Sequence, residues 1–291
     1  MQRKLGIIAG GGPLPKYLAE HCQFNGREYF VIALVGNADE RILHALPVKW
    51  VRLGAAGKII QSLKEQNVEE IVMVGAVRRP SIMTLFPDWR AISLIFRIGT
   101  IMVGGDNSLL TAIAEEFERY GFKVTGVDEL LSALLAPAGP FGRIRPNNQD
   151  LKFIQSGIQQ AQIIGQQDTG QAIVIQNDII IGTENRNGTD ELIKRCRNTV
   201  SDHGKPILIK IKKPGQDRRV DLPTIGARTV QLAAECGFSG IVVETGQTLV
   251  VDRTKLKKTA DKCCLFVIGT KLNHEQLSLS SKTSKNLPNC W

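Results

Sequence analysis

The sequence lacks the cysteine and histidine patterns that zinc sites and disulfide scaffolds require. Its six cysteines include no CxxC pair, and its four histidines are scattered without any spacing typical of metal ligands. These absences exclude a disulfide-stapled secreted domain and disfavour a histidine-rich two-metal phosphoesterase. Any chemistry on phosphate groups would have to use carboxylates, arginines and backbone N–H groups.

Aromatic residues are also scarce. They make up 5% of the chain, and no basic run is interleaved with them. Single-stranded nucleic acids bind on aromatic stacking platforms inside basic grooves, so the composition argues against a nucleic-acid partner. A phosphorylated small molecule or an anionic membrane surface is left to explain the formal net charge of +9.

Long hydrophobic runs are missing as well. The longest apolar stretch, residues 91–103, contains Arg97 and is too short to span a bilayer. The apolar stretch near the N-terminus is interrupted by three glycines and a proline at residues 10–13, so it lacks the core of a signal peptide. We therefore expect a cytoplasmic protein with reduced cysteines, which could meet a membrane only from its surface.

The chain does have a regular alternation of apolar strands and amphipathic helices in both halves. This βαβ alternation predicts parallel sheets covered by helices. A length of 291 residues favours two domains of ordinary size. The predicted fold class is therefore α/β, with an N-terminal Rossmann-like parallel sheet and a C-terminal α/β domain. Among the helices, one is predicted over residues 89–102 and another over residues 224–236.

Composition sets the predicted domain boundaries. Residues 136–150 contain three prolines and two glycines with little periodicity, which is typical of an interdomain linker. The linker would join an N-terminal domain of residues 1–135 to a C-terminal domain of residues 151–270. Residues 271–291 are polar and rich in serine, lysine and asparagine, and we predict a disordered tail there.

A triglycine turn, Gly10, Gly11 and Gly12 followed by Pro13, lies between the first predicted strand and the first predicted helix. Glycines let a ligand approach the backbone, and a helix N-terminus offers free N–H groups. The turn is thus a candidate phosphate site, with a plain strand-to-helix turn as the alternative. A dinucleotide-binding GxGxxG motif fits poorly, because Pro15 takes the place of the third glycine and no acidic residue follows the second strand.

Two more candidate segments follow in the first half. Gly75 ends a strand and precedes Arg78, which could bind a phosphate beyond the carboxyl edge of the sheet. A solvated basic turn explains the same residues equally well. Asp106 opens a helix after two glycines, and it could act as a helix cap, as a carboxylate of the site, or as both.

The most informative segment is residues 213–226, where two carboxylates and two arginines share a loop between a strand and a helix. Magnesium prefers hard oxygen ligands, and arginine suits phosphate. Asp217 and Asp221 could each hold a metal ion or position an attacking water, and Arg219 could stabilise developing charge. A salt-bridged loop without chemistry is the structural alternative.

Other polar residues follow strands of the same half and could face the same cleft, although spacing alone does not prove that they converge. They are Glu184, Gly188, Thr189, Asp190, Glu244 and Gly246.

Taken in order, these motifs resemble the LpxI family. The matching segments are GIIAGGGPLP, GAVRRPS, GGDNSLL, GTD, DRRVDLPTIG and VVETGQTLVVDR, which extend over nearly the whole chain from Lys4 to about Gly269. No single motif is widely specific, but the ordered set is.

The resemblance implies a two-domain hydrolase with its substrate cleft between the domains. The family uses Mg2+ to cleave UDP-2,3-diacylglucosamine into UMP and 2,3-diacylglucosamine 1-phosphate. The family's aspartate in the DRRVDLP segment matches Asp221 best, with Asp217 as the nearby alternative and Arg219 beside them as a catalytic candidate. The substrate-binding residues would be Gly10, Gly11, Gly12, Pro13, Gly75, Arg78, Asp106, Gly188, Thr189, Asp190, Thr224 and Glu244.

A diacylated substrate also implies a peripheral location at the inner face of the cytoplasmic membrane. The apolar run of residues 94–103 would then contact acyl chains, with a buried core helix as the alternative. A homodimer is one option for the assembly. Two other functions stay open: a protein that binds or transfers a nucleotide sugar without hydrolysis, and a non-enzymatic basic adaptor at membrane surfaces. The glycine pattern disfavours a nicotinamide-dependent oxidoreductase.

Overall fold

The fold is that of a computed structural model, which describes residues 2–77, 88, 106–166, 170–185, 187–197 and 204–272, with the backbone alone at 106–108. The predictions for Arg78, for the helix over residues 89–102 with its apolar run, and for the tail beyond residue 272 lie outside the described residues. None of the helices in the described part of the chain is long and apolar enough to cross a bilayer.

The N-terminal half forms a five-stranded parallel sheet with the order β3-β2-β1-β4-β5. Its strands are β1 (Leu5–Ala9), β2 (Tyr29–Leu34), β3 (Val48–Val51), β4 (Glu70–Val74) and β5 (Lys123–Val124). The described helices of this half are α1 (Leu14–Phe24), α2 (Glu40–Leu43), α3 (Ala56–Glu65), α4 (Asp106–Arg119) and α5 (Val127–Leu130). The predicted Rossmann-like parallel sheet is confirmed.

The strand order reverses at β1. From β1 the chain moves outward through β2 and β3, and it then returns to form β4 on the other side of β1. In open α/β sheets such a reversal opens a crevice beyond the carboxyl ends of the strands, and ligands bind there. The turns that follow β1 and β4 both lie at this position.

The C-terminal half forms a six-stranded mixed sheet with the order β6-β13-β11-β9-β7-β8. Strands β9, β11 and β13 are parallel, whereas β6, β7 and β8 pair antiparallel with their neighbours. The strands are β6 (Gly139–Pro140), β7 (Ala172–Gln176), β8 (Ile179–Thr183), β9 (Ile207–Lys210), β11 (Gly240–Glu244) and β13 (Phe266–Thr270). The helices are α6 (Asn148–Gln166), α7 (Thr189–Cys196), α8 (Ala227–Glu235) and α9 (Arg253–Lys262).

The segment predicted as an interdomain linker, residues 136–150, is part of the C-terminal half instead. It contributes the edge strand β6, the buried side chain of Phe141 and the first turn of α6. Proline suits an edge strand as well as a linker, because an edge strand can leave one N–H position unpaired. Composition alone therefore did not distinguish the two.

The helix predicted over residues 224–236 is wrong in its first turn. Residues Thr224–Gly226 form strand β10, which pairs in parallel with β12 (Leu249–Val251), and α8 begins only at Ala227. Ile225 pairs with Val250 and is buried. This long-range pairing overrides the local helical pattern, as tertiary contacts commonly do.

One apolar cluster crosses from one half of the chain to the other. Leu222, Leu249 and Val251 are buried in the same cluster as Leu14 and Leu18 of helix α1. Burying a leucine or valine side chain contributes roughly 1.5 to 3 kcal/mol. The loop that contains Asp221 is thus packed against the N-terminal domain, in the cluster to which the start of α1 also contributes.

Candidate active site

The triglycine turn has two parts with different roles. The Gly10 N–H donates to the carbonyl oxygen of Val74 at 2.8 Å, and Gly11 exchanges two backbone hydrogen bonds with Ala76, at 2.7 and 3.0 Å. A Cβ on Gly10 would lie 2.6 Å from the Ala76 carbonyl oxygen, so close packing of the two turns requires glycine there. Gly12 faces open space with a φ of +91°. Gly12 is therefore the glycine of the turn that a ligand can approach.

Helix α1 begins at Leu14, two residues after Gly12. Its N-cap is Pro13, which is exposed and provides no side-chain cap, and its first turn contains no acidic residue. Pro13 and Pro15 have no N–H, so the backbone donors at this end are those of Leu14 and Lys16, which carry partial positive charge and suit a phosphate. Gly75 lies beside this turn, where a Cβ would be 2.6 Å from the Gly11 carbonyl oxygen, so its role is close packing.

Asp217 and Arg219 form a hydrogen-bonded ion pair in the loop after β9. The Nε of Arg219 donates to both Asp217 carboxylate oxygens at 3.1 Å, and its Nη2 donates to Oδ2 at 2.7 Å. These hydrogen bonds hold the pKa of Asp217 below its ordinary value. The Nη1 of Arg219 donates to Glu118 of helix α4 at 2.7 Å. The pair therefore fixes the loop to the N-terminal domain.

Arg218 makes a second connection between the domains. Its Nε and Nη2 donate to the carboxylate of Asp128, at 3.0 and 2.6 Å, while its Nη1 donates to Gln247 at 2.5 Å. Gly126 follows β5, and a Cβ there would be 3.0 Å from the Arg218 carbonyl oxygen. The loop thus rests against the carboxyl edge of the N-terminal sheet, the edge at which the triglycine turn lies.

Asp221 is held by a buried amide rather than by an arginine. The Nε2 of Gln216 donates to Oδ2 of Asp221, and the Oε1 of Gln216 accepts from the Lys213 backbone N–H at 3.1 Å. Nε2 also lies 3.4 Å from Oε1 of Gln171. These contacts fix which end of the amide faces the carboxylate.

Burial and the neighbouring groups shift the pKa of the Asp221 carboxyl in opposite directions. Burial raises the pKa of the Asp221 carboxyl above its ordinary value, and the charge of Glu184 adds to that rise. The hydrogen bond from Gln216 and the charges of Lys210 and Lys213 lower the pKa and oppose burial. Within the described part of the chain, no cation lies within 4 Å of the Asp221 carboxylate.

Lys210 begins a chain of hydrogen bonds at the end of strand β9. Its side chain is buried, with the residue 5% exposed, and its Nζ donates to the Thr189 hydroxyl at 2.7 Å. That hydroxyl donates to Oε1 of Glu184, and Oε2 of Glu184 accepts from the Gln171 backbone N–H at 3.3 Å. Thr189 follows Gly188, whose φ of +83° at the N-cap of α7 suits glycine.

The other predicted residues of this half are engaged elsewhere. Glu244 ends β11 and is buried, with its carboxylate accepting the backbone N–H of Lys212 at 2.9 Å. Asp190 pairs with Arg228 at 3.1 Å. The hydroxyl of Thr224 donates to a backbone carbonyl two residues earlier at 3.1 Å.

Two family models together match almost all of the sequence. The model of the LpxI N-terminal domain matches residues 4–134, and that of the LpxI C-terminal domain matches residues 137–268. The chain belongs to the LpxI family. The resemblance stated from the sequence motifs is thereby confirmed.

A curated LpxI relative is similar to nearly the whole chain. It is the UDP-2,3-diacylglucosamine pyrophosphatase LpxI of Caulobacter vibrioides (strain ATCC 19089 / CIP 103742 / CB 15), 36% identical over 273 residues, which covers 92% of this chain and 97% of the relative.

Among solved structures, weak likenesses are found to two enzymes. The N5-carboxyaminoimidazole synthase of Aspergillus clavatus is 11% identical with a TM-score of 0.23, covering 70% of this chain and 45% of that chain. The N5-carboxyaminoimidazole ribonucleotide synthetase of Thermotoga maritima is 13% identical with a TM-score of 0.22, covering 63% and 42%. Similarities this weak support no conclusion about the fold or the function of this chain.

The structure brings some of the predicted LpxI site residues together and separates others. Thr189 and Asp221 lie in one polar cluster with Glu184. Asp217, Arg219 and Asp190 are instead committed to ion pairs. Of Asp106 the backbone alone is described, at the start of α4.

Three members of this cluster were not predicted from the sequence: Gln171, Lys210 and Gln216. Lys210 did carry a signal, because it is a cation at the end of the otherwise apolar strand β9, and lysine is almost never buried without a partner. The two glutamines gave no comparable signal, since neutral amides are common on exposed loops.

The side-chain oxygens near Asp221 indicate whether a magnesium ion could bind there. Within the described ranges, no group of three or more His, Cys, Asp or Glu side chains is placed to hold a metal ion by itself. The Asp221 carboxylate accepts one side-chain hydrogen bond there, at Oδ2, so Oδ1 is available. Magnesium is commonly held by one or two carboxylates together with substrate phosphates, which fits Asp221. Both carboxylate oxygens of Asp217 already accept hydrogen bonds from Arg219. The role of Asp217 as a metal ligand therefore stays a prediction.

Proposed function

We propose that this chain hydrolyses the pyrophosphate bond of UDP-2,3-diacylglucosamine, with Mg2+, to UMP and 2,3-diacylglucosamine 1-phosphate. The activity in the name of the Caulobacter relative, with 36% identity over 92% of this chain, supports the reaction and substrate. The observation that carries the site assignment is Asp221, a half-buried carboxylate held by an amide and not neutralised by a close ion pair. A carboxylate committed to structure would be paired, as Asp217 is.

In the proposed reaction, phosphate oxygens of the substrate lie at the N-terminus of α1, beyond Gly12, where free backbone N–H groups stabilise negative charge. Asp221 accepts a hydrogen bond from the attacking water through Oδ1, while Gln216 holds Oδ2. The water oxygen forms a bond to phosphorus as the anhydride P–O bond breaks, the leaving phosphate takes that electron pair, and a proton of the water passes to Oδ1 of Asp221. Magnesium, held by Asp221 and the diphosphate, would supply charge neutralisation when bound.

The proposal includes a peripheral location at the inner face of the cytoplasmic membrane. The net charge of +9 supports it, because basic proteins are attracted to anionic lipid surfaces. A substrate with two acyl chains would also be presented at that surface.

The proposed function is tested by measuring UMP release from UDP-2,3-diacylglucosamine in detergent micelles. We expect Mg2+-dependent turnover by the full chain, which a chelator stops and added Mg2+ restores. Asp221→Asn should lower kcat by about 100-fold or more, because the water loses its orienting carboxylate. The matched control is Asp178→Asn, at an exposed turn where asparagine tolerates the positive φ of 67°. It should retain full activity.

Three results would contradict the proposal. Full activity of Asp221→Asn would remove that residue from the reaction. Substrate binding without UMP release would favour a nucleotide-sugar binding or transferring protein. Liposome binding without affinity for the nucleotide, unchanged in Asp221→Asn, would favour a membrane adaptor.

A further inference from the structure

Lys210 is a buried cation without an anionic partner at close range. Its ammonium makes one hydrogen bond within the described part of the chain, to the neutral hydroxyl of Thr189 at 2.7 Å. No carboxylate in that part lies within the 4 Å of an ion pair. Removing an ammonium group from water is costly unless an opposite charge compensates it. The charge of Lys210 is therefore balanced by the more distant carboxylate of Asp221, and a bound anion would balance it at closer range.

The position of the ammonium is set by neighbouring groups. The Thr189 hydroxyl accepts from Lys210 and donates to Glu184, whose other carboxylate oxygen is held by the backbone N–H of Gln171. A hydroxyl that donates to a carboxylate must present its lone pairs elsewhere, so it is oriented to accept from the lysine. The lysine is thus held in one geometry at the carboxyl end of β9, where ligands bind in α/β sheets.

The two arginines in the loop after β9 are not available to bind an anion. Arg219 is held by Asp217 and Glu118, and Arg218 is held by Asp128 and Gln247. Both connect the domains. The positive charge that acts on the half-buried carboxylate of Asp221 comes instead from Lys210, at the end of β9, and from Lys213 beyond it.

We propose that Lys210 is a substrate-binding residue whose ammonium binds a phosphate oxygen of the diphosphate, with Thr189 and Glu184 as its positioning residues. The inference rests on the proposed function for the identity of the diphosphate. It extends that function by naming the side chain that neutralises diphosphate charge alongside the N-terminus of α1. Hydrogen bonds to charged groups and buried phosphate contacts are among the stronger interactions in proteins.

The test compares UDP binding by calorimetry with thermal unfolding for wild type, Lys210→Met, Thr189→Val and Lys205→Met. Lys210→Met should weaken UDP binding by about 10- to 100-fold, without a lower melting temperature, because methionine removes a buried charge that no close ion pair neutralises. Thr189→Val should weaken binding by a smaller factor, since the ammonium stays but loses its position. Lys205 is exposed just before β9, and Lys205→Met should match wild type in both measurements.

Calorimetry with UDP needs no turnover, so this test is separate from that of the proposed function. UDP binding that depends on Lys210, in a protein that releases no UMP, would leave the inference standing while the proposed function fails. Unchanged UDP affinity of Lys210→Met would overturn the inference, and so would the absence of UDP binding by wild type. A lower melting temperature or loss of folding in Lys210→Met would also overturn it, because the lysine would then serve the fold.

Discussion

Asp217 and Asp221 lie in one loop, yet their carboxylates meet opposite environments. Arg219 donates to both oxygens of Asp217 and lowers its pKa, whereas burial raises the pKa of Asp221. Both residues looked equivalent in the sequence, because a list of residue types does not show which carboxylate an adjacent arginine has already neutralised. The geometry favours Asp221 as the functional aspartate and Asp217 as part of a connection between domains.

The two aspartates should affect stability in opposite directions. Asp217→Asn should lower the free energy of unfolding at pH 7 by about 1 to 3 kcal/mol, because it breaks charged hydrogen bonds to Arg219. Asp221→Asn should leave it unchanged or raise it, because a carboxylate whose pKa is raised by folding is destabilising when ionised. Urea unfolding of both variants and wild type measures the difference.

The pH dependence of the same measurement provides a control. The pKa of Asp217 is lowered by folding, so its stabilisation is present above the unfolded value of about 3.9 and is lost as the pH falls through the folded value. Wild type and Asp217→Asn should therefore become more alike in acid. Equal stability of wild type and Asp217→Asn at pH 7, or a large loss in Asp221→Asn, would contradict this assignment.

At the scale of elements, local patterns predicted most strands and helices well. The first strand, Leu5–Ala9, and the first helix, Leu14–Phe24, flank the triglycine turn as predicted. Helix α9 is capped by Asp252, whose side chain accepts from the Lys255 N–H. The two errors, β6 and β10, are short strands that exist only through pairing with distant segments. Neither strand is long enough to show the alternation of apolar and polar residues that identifies a strand. Both were therefore misassigned from propensity and composition.

Strand β4 begins at a buried ion-pair network that should be important for stability. Glu70 is hydrogen-bonded by Arg27, from the segment after α1, at 2.7 Å and by Lys123 of β5 at 3.0 Å. Burial alone would raise the pKa of Glu70, but these two hydrogen bonds outweigh it and hold the pKa below its ordinary value. Three separate segments are thus joined at one end of the sheet.

Glu70→Gln should lower the free energy of unfolding by about 2 to 4 kcal/mol, because it leaves the largely buried Arg27 side chain, 11% exposed, without its anionic partner. The matched control is Glu28→Gln, whose carboxylate is 80% exposed and 3.9 Å from Lys4, and it should have almost no effect. Thermal unfolding at pH 7 measures both. The difference between wild type and Glu70→Gln should shrink in acid as Glu70 becomes protonated below its lowered pKa. Equal losses in the two variants would show that burial of the network is unimportant.

For the whole molecule, the sequence predicted the class, the two sheets and the family, but only part of the candidate site. The triglycine turn and Asp221 were recognisable because they lie in short motifs. Lys210, Gln216 and Gln171 were not, because they come from separate elements and meet only in the folded chain. Short motifs indicate which backbone turns could approach a ligand. The charge balance of a site depends on which of its side chains are already paired with other residues in the folded chain.

The proposed reaction and the proposed role of Lys210 both require a diphosphate site at the boundary between the two domains. A crystal structure of the full chain carrying Asp221→Asn, grown with UDP and Mg2+, tests it most directly. We expect the diphosphate to lie within hydrogen-bond distance of the Lys210 ammonium and of the backbone N–H groups that follow Gly12. A diphosphate bound elsewhere, with Lys210 still buried and bonded to Thr189 alone, would contradict the account.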